Sequence, residues 1–113
     1  MNRYFARISL TLLLAAPAVH PADDAARHQA VADLGRLNGV ALNCRYLDQV
    51  RIMKAAVVEN APKQRSYGLM FDEATNEAFL DMIQSAQPCP GPAGFSEQVK
   101  SAVTELQRIF EQR

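Results

Sequence analysis

The chain has little of what catalysis or nucleic-acid binding requires. Among its 113 residues only two are histidines, His20 and His28, and both lie near the N-terminus. No glycine-rich phosphate loop is present. A set of nucleophile, base and orienting group cannot be assembled from these side chains, so the sequence predicts a protein that is not an enzyme. Lysine plus arginine number 12, and so do aspartate plus glutamate. The lack of a basic stripe argues against a nucleic-acid partner. The lack of a basic amphipathic helix argues against an anionic membrane surface. No segment alternates apolar and polar residues for long enough to predict a strand, and there is no internal repeat.

The N-terminal stretch "MNRYFARISLTLLLAAPAVHPADD" has a definite order. Arg3 and Arg7 come first, Ile8 to Ala16 form an apolar run, and Ala16-Pro17-Ala18 offers small residues at a cleavage site. That order predicts a secretory signal peptide over residues 1–18. The run falls short of the roughly 20 residues a membrane span needs. The arginines are not adjacent, against a twin-arginine route. Residues 19–113 are then expected to form a single helical domain in the periplasm or outside the cell. Without Arg3 and Arg7 the bases fall to 10 against 12 acids, a net charge of −2.

Cysteine is as scarce as histidine, with two of each. Cys44 lies in "ALNCRYLDQV", which reads as helical, and Cys89 in "SAQPCPGPAGF", where three prolines and two glycines predict a rigid loop. Two cysteines in a small exported chain predict a disulfide. Closing so long a loop would contribute roughly 4 kcal/mol in the chain-entropy picture. A redox pair would more commonly be Cys-x-x-Cys, and a zinc site would need two more ligands. No cofactor is predicted.

What is abundant is helical periodicity. Asp23 and Asp24 suit a helix start, and Ala26, Ala30, Leu34, Leu37 and Ala41 follow at steps of three and four. Asn38-Gly39 is a stop signal, so a kink or break is expected between residues 38 and 44. Leu47, Val50, Met53 or Lys54, and Val57 form the next stripe, ended by Asn60-Ala61-Pro62. A third helix is expected from about Tyr67 to Ser85, with Ser66 as N-cap. Its stripe of Tyr67, Met70, Phe71, Ala74, Ala78, Phe79, Met82 and Ile83 is wide enough for two neighbours, and Asp72, Glu73, Glu77 and Asp81 make an acidic outer face. Ser96 is the expected cap of a last helix carrying Val99, Ala102, Val103, Leu106, Ile109 and Phe110. The fold class is all-α, a bundle of three to four helices with one disulfide.

Three clusters invite a functional reading. His20, Asp23, Asp24 and His28 could surround a divalent cation, although closed metal sites fix their ligands better than a chain end does. Lys63, Arg65 and Tyr67 sit at a turn, where they could hold an anion or a partner's carboxylate; the simpler reading is a solvated turn with Tyr67 packed inward. Gly35-x-x-x-Gly39 permits close helix approach, but signals dimerisation only within a membrane span.

In layout the chain resembles the small periplasmic acid-stress chaperones. Cys44, Cys89 and the following "FSEQVKSAVTELQRIF" occupy places matching their long-loop disulfide and final helix. That resemblance implies a chaperone that opens to expose apolar surface, as one alternative. A metal-binding envelope protein is another. The leading expectation is a non-catalytic envelope protein that binds another protein, as an inhibitor, immunity factor, adaptor or accessory subunit.

Overall fold

The structure, a computed structural model, describes residues 21–111. The proposed signal peptide over residues 1–18 and the candidate ligand His20 lie outside them. The described residues form four helices and no strand: α1 (Pro21–Asn43), α2 (Leu47–Asn60), α3 (Arg65–Ser85) and α4 (Pro92–Glu111). The all-α bundle and the Cys44–Cys89 bridge are both present.

α1 does not break at Asn38-Gly39. It continues to Asn43 because tertiary packing there requires a helix with no side chain at Gly35 and Gly39. A Cβ on Gly39 would lie 2.3 Å from the Thr75 carbonyl oxygen, and one on Gly35 would lie 2.7 Å from that of Phe71. The glycines cost about 1 kcal/mol each in helix propensity, and in return the backbone of α3 settles directly onto that of α1. The pairs rise together along both helices, from His28 with Tyr67 to Asn43 with Met82, so α1 and α3 run parallel. Midway, Asn38 Nδ2 donates to Thr75 Oγ1 at 3.2 Å, and Thr75 donates to the Phe71 carbonyl at 2.7 Å, inside the interface.

The opposite side of α1 packs differently. α2 and α4 lie against it and against each other. Here Val31, Leu34, Met53, Phe95, Val99 and Leu106 are fully buried. Each large apolar side chain removed from water in this way contributes roughly 1.5–3 kcal/mol. α3 was expected to bury its stripe against two helices, but its backbone runs beside α1 alone. The small residues on α1 bring α3 too close to one neighbour for it to straddle two.

Both α1 and α3 end in the same way. Arg45 (φ 58°) and Ala86 (φ 49°) take the left-handed conformation. The N–H of Tyr46 donates to the Ala41 carbonyl, and that of Gln87 to Met82, closing each helix end. Cys44 therefore sits in the turn after α1 rather than within a helix. Ala61, just before Pro62, is extended as expected (φ −81°, ψ 139°).

Two expected caps are displaced. α3 starts at Arg65, so Ser66 lies inside the helix and Gln64 occupies the cap position without a side-chain bond. α4 starts at Pro92, within the stretch expected to be wholly loop, and Ser96 falls in its second turn. Proline suits a first helical turn because its missing N–H would have no partner there. The early start brings Phe95 onto the helix and into the core.

Candidate functional site

The disulfide ties the approach to α4 to the end of α1. Cys44 and Cys89, with Cα atoms 5.7 Å apart, join the turn after α1 to the loop before α4. Tyr46 reinforces the tie: its hydroxyl donates to the Pro90 carbonyl, and its ring lies 5.4 Å from that of Phe95. α4 then runs antiparallel to α1 and ends beside its start, with the Arg27 guanidinium 6.0 Å from the Phe110 ring.

α3 and α4 thus flank α1 without packing along one another. Between them a groove of about 730 Å³ opens over the C-terminal half of α1. Its floor is Leu37 and Val40, and Ala78 and Met82 form the apolar part of the α3 wall. Glu97, Gln98 and Ser101 supply the α4 wall. Asp33, Asp81 and Glu97 give the rim three carboxylates against one cation, Arg36, and Arg36 is already ion-paired with Asp33. The acidic bias continues along α3: from Ser66 to Ser85 it carries Asp72, Glu73, Glu77 and Asp81 and no basic residue. The outward side of α3 also leaves Leu69, Leu80 and Ile83 exposed.

Lys63, Arg65 and Tyr67 do not converge on one surface. Lys63 is exposed in the turn between α2 and α3 and Arg65 is exposed as the first residue of α3, whereas Tyr67 is only 4% exposed and points into the core. Its ring lies 4.8 Å from His28 and meets Phe110 edge-on at 5.3 Å. Burial pushes the Tyr67 phenol above its ordinary value, the Asp24 carboxylate adds to the rise, and Arg27 opposes it.

Of the candidate metal ligands, Asp24 and His28 are adjacent on α1. His28 Nδ1 lies 2.9 Å from the Asp24 carbonyl oxygen, a contact in which the ring nitrogen donates, and 3.5 Å from Asp24 Oδ1. No group of three or more potential metal ligands forms among the described residues. Nor is any helix among them long and apolar enough to cross a membrane.

The groove was not anticipated from the sequence. Two signals pointed toward it: the run of acids without a base on α3, and apolar residues on α1 in excess of one stripe. What no local pattern conveys is that α3 and α4 stand apart over Leu37 and Val40. Compared with family models, curated proteins and solved structures, the chain matches none, so the reading of this groove rests on its own geometry and charge.

Proposed function

We propose that the protein is a non-catalytic binding protein of the periplasm or extracellular space, and that it holds a segment of a protein partner in the groove between α3 and α4. The observation that carries this reading is the groove's apolar floor, left open on the helix that organises the whole bundle. Pockets that bind ligands are typically concave and apolar with a few polar groups at the edge, and this groove has that composition. The disulfide agrees with work in an oxidising compartment.

The test compares affinity capture from envelope extract by the natural protein and by Ser101→Trp. Ser101 is exposed on the α4 wall, so an indole there should fill the groove while circular dichroism stays unchanged. A stoichiometric partner retained by the natural protein and lost with Ser101→Trp is the expected outcome. A partner held equally by both, or none held by either, would end this reading.

A further inference from the structure

We infer that the segment seated in this groove is a cationic amphipathic helix of the partner; this rests on the groove reading above and specifies its occupant. Charge supports the first part. Asp81 on α3 and Glu97 on α4 both line the groove, Asp33 already neutralises Arg36, and α3 carries acids and no base from Ser66 to Ser85. An incoming acidic segment would meet like charges on both walls. One with lysines or arginines flanking an apolar stripe would meet opposite charges on both, which favours encounter and sets orientation.

The shape of the groove supports the second part. Apart from Gln87 in the loop after α3, the residues lining it lie on helices, whose central backbone groups are bonded internally, so it offers no strand edge for an extended peptide to extend. The stretch of α1 from Asp33 to Val40 is about 10 Å long. It would grip two to three turns of a helix, with apolar anchors at positions i, i+3 or i+4, and i+7 over Leu37, Val40, Ala78 and Met82. An incoming helix lying there would bridge α3 and α4, which now pack along α1 separately.

The experiment uses the full mature chain and three synthetic peptides of equal length. One is an amphipathic helix with lysines and arginines flanking a leucine stripe, the second carries glutamates in their place, and the third is the cationic composition scrambled. Binding is followed by calorimetry and by amide chemical shifts. The cationic helix should bind most tightly and shift the amides of residues 33–40, 78–82 and 97–101. Its affinity should fall about tenfold in Asp81→Lys/Glu97→Lys and should also fall with added salt. Both substituted side chains are exposed, so the fold should be unaffected.

Equal or tighter binding of the glutamate peptide at the same amides would overturn the cationic helix and leave the groove reading intact. Equal binding of the scrambled peptide would show that charge alone, not a helix, is recognised. Cationic binding undiminished by Ser101→Trp would place it outside the groove, and no binding by any peptide would reject the inference. Concentration-dependent dimers in sedimentation, lost in Ser101→Trp, would show a second copy of this chain to be the occupant instead.

Discussion

The two sides of α1 hold their neighbours by different physics. Toward α2 and α4 it presents Val31 and Leu34, which pack among Met53, Phe95, Val99 and Leu106 as a conventional core. Toward α3 it presents Gly35, Asn38 and Gly39, and contact there is backbone against backbone with a buried Asn38–Thr75 hydrogen bond. The first arrangement depends on volume removed from water. The second depends on the absence of volume: the glycines must add nothing for the helices to meet. A core of large side chains can relax partly around a lost methylene, whereas a main-chain contact at this distance has no side chain that can move aside.

Removing the bridge should cost most and affect both sides together. Its sequence separation of 45 residues encloses all of α2 and α3. Cys44→Ser/Cys89→Ser is expected to lose about 4 kcal/mol in denaturant unfolding. A loss confined to one side of α1 in hydrogen exchange would show that the two packing modes are independent even of this shared tie.

Gly39→Ala comes next. Its Cβ would meet the Thr75 carbonyl oxygen at 2.3 Å, the Ala78 Cβ at 2.9 Å and the Phe79 amide nitrogen at 2.9 Å. The expected destabilisation is about 3 kcal/mol, with amide protection lost mainly in α3. Leu106→Ala should cost a similar amount, roughly 2–5 kcal/mol, but loosen α2 and α4. If both variants opened the same amides, the contrast between the two sides would not survive.

A smaller effect of opposite sign is expected at the helix ends. Arg45 and Ala86 hold the left-handed conformation that disfavours a Cβ. Arg45→Gly and Ala86→Gly should each stabilise the fold by about 1 kcal/mol, read as a raised unfolding midpoint at unchanged slope. Ala86→Gly should act on the close of α3, and Arg45→Gly on the turn that carries Cys44.

The finest probe is Tyr67, where the two sides meet through its contact with Phe110. Its phenol is raised above the ordinary value near 10, so the fold favours the neutral form. That contribution is complete below pH 10 and is lost as pH rises through the raised value. Stability should therefore decline in the alkaline range, and Tyr67→Phe should flatten the decline. An unchanged alkaline profile in Tyr67→Phe would assign the decline to other groups.

Much of the bundle was legible in the residues because helical periodicity is a local signal. The core positions Leu34, Val50, Met53, Tyr67, Phe71, Val99, Leu106 and Phe110 all lie on the expected stripes. The Cys44–Cys89 bridge followed from there being only two cysteines to pair. Leu47, by contrast, belongs to an expected stripe yet is exposed, as is Ile83. Periodicity says which residues share a face, not whether another helix will cover it. Ser66 and Ser96 were sensible caps by residue type, but Gln64 and Pro92 mark the observed starts; cap chemistry is weak enough for neighbouring packing to move a boundary by several residues.

The sequence by itself determined the helical class, the position of most core residues and the covalent tie, because each depends on spacing along the chain or on residue type. Only the tertiary structure decided that α1 stays intact through Gly39, that the backbone of α3 runs beside α1 alone, and that a groove with an acidic rim is left beside it. Those outcomes arise when separate helices come together. How near two backbones can approach is a property of the pair, and so is the space they leave open to a third.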